Sequence, residues 1–158
     1  IFLLYCSARD VVHRDAYLLM STDGRQFSST RLQEWTIGAC PMSTFSLAEG
    51  PHGLFAAWET NGQVQFRRVD EAVPATTPIE PPGSTGKRRH PSLAINGRDE
   101  ILLTWSEGTA WQRGGAVAWQ VFDKNGRLTT ETGQAPGVPV WGLAAAYVRR
   151  DGGFRILY

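Results

Sequence analysis

The residues of this chain with most capacity for chemistry are arginines, carboxylates and tryptophans set in short polar stretches. Arg9, Asp10, Arg14 and Asp15 fall together between two apolar runs. Glu59 directly follows Trp58, and Glu107 comes two residues after Trp105. Arg88 and Arg89 sit in Lys87-Arg88-Arg89-His90, and Trp111 and Arg113 share a stretch bounded by Gly108 and Gly114. Arginine offers a planar fork to a carboxylate. Tryptophan offers a broad apolar face, and a carboxyl group can donate or accept a proton. The expected catalytic candidates are therefore Asp10, Asp15, Glu59 and Glu107. The expected binding residues are Arg9, Arg14, Arg88, Arg89, Trp111 and Arg113. Each has a plainer alternative. The basic run at 87–90 follows Pro81-Pro82-Gly83-Ser84-Thr85-Gly86 and reads equally as a solvated loop. Glu59 and Glu107 read as turn or ion-pair residues repeated with the fold. Trp58, Trp105 and Trp119 read as core.

Other chemistries lack their residue patterns. His13, His52 and His90 are too scattered for metal-ligand spacing. The chain has no phosphate-cradling glycine loop, no Gly-x-Ser-x-Gly turn and no Cys-x-x-Cys pair. No metal and no cofactor are expected. Cys6 and Cys40 either pair, as in an exported protein, or stand as two buried free thiols.

The elements that must position these residues are short. The chain has 158 residues, with 17 Gly and 9 Pro punctuating it at close intervals, which suits many strands better than long helices. With 42% hydrophobic and 20% charged residues it has an ordinary globular composition. Its formal net charge of +1 argues against a nucleic-acid binder, which carries a large basic excess. No apolar run reaches the roughly 18 residues of a membrane helix. Arginine outnumbers lysine fourteen to two; bidentate recognition and a coding bias both give that skew. The chain opens on Ile1-Phe2-Leu3-Leu4-Tyr5 and closes on Phe154-Arg155-Ile156-Leu157-Tyr158. Both are strand-like, so the sequence reads as a piece of a longer protein.

A repeat organises the strands. Pro91 to Ile95, Glu100 to Trp105, Gly115 to Phe122 and Arg127 to Thr130 form four short strands. The second and third are joined by a loop, the others by turns. Pro41 to Phe45, Leu54 to Trp58 and Gln63 to Val69 repeat the plan, with Trp58 and Trp105 at matching places. A first unit supplies Phe2 to Tyr5 and Ala16 to Met20; a last supplies Leu143 to Tyr147 and Phe154 to Tyr158. The alanine-rich run from Leu143 reads alone as a helix, and its place in the repeat makes it a strand. The expected units are 1–35, 36–85, 86–137 and 138–158, the first and last truncated. Four-stranded units of this length have the size of a β-propeller blade. The expected fold is all-β, a partial propeller; the alternative is an open β-sandwich. Closure takes roughly four to eight blades, so the remaining blades are expected partners.

Ser21-Thr22-Asp23-Gly24-Arg25-Gln26-Phe27 follows a strand directly and resembles the Asp-box of sialidase-like propellers, Ser-x-Asp-x-Gly-x-x-Trp. Ser21, Asp23, Gly24 and Phe27 match its structural positions, with one residue fewer before the aromatic and Phe in place of Trp. Asp123-Lys124-Asn125-Gly126 is a more eroded copy at the same strand junction. A generic Asp-Gly hairpin turn would give the same residues. The resemblance covers the chain as repeats and about seven residues as motif.

The resemblance also sorts the loops. In such blades the first-to-second and third-to-fourth turns share the box end. The second-to-third loops and the blade connections form the opposite rim, where family members keep their active site. The candidates named above all fall on that rim, with Trp35, Cys40 and Trp141. The resemblance implies an exported exo-glycosidase acting on acidic sugars. The alternative is a non-catalytic module that binds glycans or proteins. The Arg-Ile-Pro motif that opens catalytic members is absent from this chain, and Tyr5, Tyr17, Tyr147 and Tyr158 all fall in strands. The expected ligand is a carbohydrate or glycoconjugate, with no nucleic acid and no membrane span.

Overall fold

The computed structural model describes residues 1–70 and 77–158. The segment 71–76 of the second expected unit lies outside the described residues. Those described form antiparallel sheets, with no helix among them. Among the described residues no helix is therefore long and apolar enough to cross a membrane. The chain divides into two compact units, Ile1–Ser43 and Thr44–Tyr158.

The first unit is one sheet of β1 (Phe2–Arg9), β2 (His13–Met20) and β3 (Ser28–Gln33), in that order. β1 and β2 pair in continuous register from Phe2↔Met20 to Arg9↔His13. Their turn contains an Asp10 C=O to Val12 N–H bond around Val11, whose φ is 65°. A β-branched residue there is a strained γ-turn. Past β3 the chain runs back along β2: Trp35 C=O accepts from Arg14 N–H, and Ile37 N–H donates to Val12 C=O.

The second unit holds three sheets. The first is β4 (Ser46–Gly50), β5 (Gly53–Thr60) and β6 (Gln63–Arg68). The second is β7 (Arg88–Ile95), β8 (Ile101–Glu107), β9 (Gly115–Phe122) and β10 (Leu128–Val138), paired in sequence order. The third is β11 (Ala145–Val148) with β12 (Phe154–Leu157). Among the described residues beyond β6, Ile79 forms an isolated bridge with Phe66.

β8 shows why the apolar run Ile101-Leu102-Leu103 is needed. Ile101, Leu103 and Trp105 pack into one cluster with Ala57, Val64 and Phe66 of the first sheet. Leu102 turns the other way and packs, with Ala94 and Val121, against Ala146, Val148, Phe154 and Ile156 of the third. The middle sheet is covered on both faces, so both side-chain sets must be apolar. Phe66 and Phe122 meet edge to face at 4.9 Å in this core. Within the second unit the three sheets pack as successive layers.

Two serines tie neighbouring sheets. Ser46 Oγ on β4 accepts Leu93 N–H of β7 at 3.0 Å, and Ser92 Oγ on β7 accepts Ala146 N–H of β11 at 3.0 Å. The same type of bond thus recurs between the first strands of consecutive sheets.

Several expected bounds shift. The first strand of the second sheet-forming repeat is Ser46–Gly50, not Pro41 to Phe45. Met42 sits at φ 53°, outside the extended region. β10 runs eleven residues, well past Thr130. The alanine-rich run is the strand β11, because Ala146 and Val148 are needed to cover the middle sheet. Trp119 is only half-buried; its ring lies over Gly133, where a Cβ would come within 2.3 Å of it.

The Asp-turns form as local chemistry dictates. Asp23 Oδ1 accepts the backbone N–H of Arg25 and Gln26, and Ser21 Oγ donates to it and accepts Gly24 N–H. Gly24 takes φ 71°. Asp123 Oδ1 accepts Asn125 and Arg127 N–H, with Gly126 at φ 74°. Phe27, however, is 41% exposed and does not plug the hairpin.

Candidate functional site

Antiparallel register in the second unit puts the ends of β5 and β8, and the starts of β6, β7 and β9, at one end of the sheets. The connections 80–87, 108–114 and 139–144 meet there. Gly108 N–H donates to Lys87 C=O, and Gly86 and Arg88 N–H both donate to Gly62 C=O. A Cβ on Gly62 would come within 2.6 Å of the Gly86 backbone, so only glycine permits this approach.

Two tryptophans stand out on this rim. Ala110 and Arg113 exchange both backbone hydrogen bonds, leaving Trp111 and Gln112 as the tip of a tight turn. Gln112 has φ 58°. Pro139 C=O accepts Gly142 N–H around a second turn, which holds Trp141 at φ 64°. Bulky residues seldom adopt this conformation. The two rings meet edge to face at 4.8 Å and 87°, yet remain 72% and 54% exposed. Two aromatics therefore face water on strained turns instead of filling the core.

The charged candidates have mostly structural neighbours. Arg88 is 4% exposed. Its guanidinium donates to Pro81 and Pro82 C=O and to Gln63 Oε1, and lies 5.0 Å from the Trp105 ring. Burial pushes its pKa down, against a partial lift from Glu107 and Glu80. A carboxylate ligand would have to displace those carbonyls, so the guanidinium ties the 80–87 connection to the sheet. Arg89 pairs with Ser106 in the β7–β8 register and is half-buried. Burial and the Arg89 charge push the pKa of neighbouring His90 down. Arg113 Nε donates to Gly108 C=O. Glu107 accepts from Trp105 Nε1 at 3.1 Å. Glu59 is buried, and its Oε1 accepts Gly62 N–H from the Asn61-Gly62 turn.

In the first unit, Asp15 is buried at 1% exposure. Its Oδ1 accepts Trp35 N–H, while Arg9 and Arg31 approach Oδ2 at 3.1 and 3.6 Å. Burial alone would push this carboxyl up. The Trp35 N–H, the Arg9 hydrogen bond and the two arginine charges more than offset that, and hold it below the ordinary range. Arg9 also donates to the Tyr17 hydroxyl at 3.3 Å, and Tyr17 stacks on Tyr5. Asp10 is exposed on the strained turn, and Arg14 donates to His13 C=O. Both cysteines are free; Cys6 is half-buried and Cys40 exposed, and burial raises the Cys6 thiol.

The fold therefore groups Glu107, Trp111, Arg113 and Trp141 on one rim, and separately Arg9, Asp15 and Arg31 around a carboxylate. Arg31, in the edge strand β3, is not among the residues that the sequence pointed to: it is the single charge of its strand, and only the pairing of Tyr17 with Arg31 brings it to Asp15. Among the described residues, no group of three or more His, Cys, Asp or Glu is placed to hold a metal ion. No family model matches the chain, and no curated protein or solved structure matches it either.

Proposed function

We propose that the chain is part of a propeller-type module that binds carbohydrate through the Trp111–Trp141 pair. The observation that carries this reading is the exposure of both rings, held edge to face on strained turns at one end of the sheets. Flat aromatic surface stacks on the C–H face of a sugar ring, and rigid aromatics do so at little entropic cost. The side-by-side sheets, the two Asp-turns and the serine bonds between first strands support the propeller reading. Binding is preferred to hydrolysis because Asp15, Glu59 and Glu107 already accept hydrogen bonds that shape the fold. That leaves Asp10, on the first unit, as the exposed carboxylate of the four.

The test is a titration of the protein with a panel of neutral and sialylated oligosaccharides, followed by tryptophan fluorescence. Saturable binding should weaken at least about tenfold in Trp111→Ala, equivalent to about 1.4 kcal/mol, with the unfolding midpoint unchanged. Equal affinity in that variant would overturn the assignment. Release of fluorophore from a fluorogenic sialoside by the wild-type chain would restore the hydrolytic reading.

A further inference from the structure

At the opposite end of the second unit, the turns open onto a second feature, a cleft of about 660 Å³ between its first and middle sheets. Phe55, Ile79 and Ile101 give it an apolar floor. Arg67 and Arg68 of β6, Arg98 and Lys124 supply four permanent cations to its walls. One carboxylate, Asp99, joins that lining, and it is held by Nδ1 of His52. Cations thus outnumber carboxylates along the lining.

The four cations are not equivalent. Arg68 is engaged by Asp70, and Arg98 by Glu100. Arg67 holds its guanidinium 5.9 Å from the Trp58 ring centre, partly desolvated, and burial lowers its pKa. Lys124 makes no hydrogen bond or ion pair with any described residue. It rides at the tip of the Asp123 turn, which Gly126 allows to close on Ile79; a Cβ there would fall 2.3 Å from Ile79 Cδ1. Apolar floor and cationic wall are therefore joined through the contact of the Asp123 turn with Ile79.

We infer that this cleft binds an amphipathic organic anion, its alkyl or aryl body on Phe55, Ile79 and Ile101 and its carboxylate among the wall cations. The volume is that of a small-ligand site, within the range of about 300–1,000 Å³. A bare inorganic anion would leave the apolar floor in water, and a neutral hydrocarbon would gain nothing from the wall cations. An ion with an apolar tail satisfies both. The site lies on the other end of the sheets from the tryptophan pair, so it stands or falls independently of the carbohydrate reading.

Decanoate and its uncharged analogue decanol test this on the ¹⁵N-labelled chain, by amide shift mapping. Decanoate should give saturable shifts at Thr77, Asp99 and Gly126. Decanol should bind about two- to fivefold more weakly, the weight of one partly exposed charge contact. Lys124→Glu should weaken decanoate at least about fivefold, and Lys124→Ala less. Lys124 is on a turn tip, and a dispersed spectrum shows that each variant is folded. The inference is overturned by shifts centred elsewhere, by no saturation at millimolar decanoate, by equal affinity for decanol, or by affinity indifferent to Lys124.

Discussion

Arg88 shows how context decides the role of a charged side chain. In sequence it belongs to a basic run beside a Pro- and Gly-rich connection, and nothing local distinguishes it from Arg89. In the structure it is enclosed by Pro81, Pro82, Gln63 and the face of Trp105, partners up to 25 residues away in sequence. That burial was illegible because it depends on where a loop returns, not on the loop's composition. Arg88→Met should lower unfolding stability by about 2–4 kcal/mol, by leaving desolvated carbonyls without a donor. Arg88→Lys should recover little, since one ammonium cannot reproduce the fork. Denaturant midpoints check both. Trp111 was more legible, because a tryptophan among glycines between two strands has few places to be buried.

At the scale of elements, turns were read best and outer strands least well. Asp23 and Asp123 act on backbone N–H groups two to four residues ahead, so their chemistry is contained in a few residues. The position of β4 differs from the expectation. Pro41 to Phe45 is placed as a strand only by its order in the repeat, and pairing with β5 selects Ser46–Gly50 instead. The apolar-floored cleft was illegible for a related reason, since its residues come from strands and turns far apart in sequence. Hydrogen bonds from Gln26 and Arg25 hold the Asp23 carboxyl below the ordinary carboxylate range; those from Arg127 and Asn125 do the same for Asp123. A depressed folded pKa contributes stability that is present above the unfolded value of about 3.9 and lost as pH falls through the folded value. Asp23→Ala and Asp123→Ala should each lower the melting temperature at pH 7 by several degrees. The gap to wild type should close on acidification through and below pH 4. A gap that persists undiminished at pH 2 would show that the carboxylates are not its source.

Across the second unit, β8 at the centre of the middle sheet is buried on both faces and draws on both neighbouring sheets for its core. Ser46 and Ser92 supplement that packing with one hydrogen bond at each junction. Ser92→Ala should cost about 1–2 kcal/mol, because Ala146 N–H then loses its acceptor. Ser46→Ala should cost a similar amount, and the two losses should add if the junctions act independently. Chemical denaturation of both single variants and the double variant measures this. A combined loss well above the sum would mean that the sheets come apart as one body.

The acceptor in each of these bonds is a side chain, whereas the donor is main chain. The bond itself thus fixes the residue type of one partner only: Leu93 and Ala146 both serve as donors although they share neither size nor shape, and what constrains those two positions is the packing of their side chains. A changed side chain there registers in the core and leaves the joint's donor in place, whereas loss of the hydroxyl opens the joint with the core untouched.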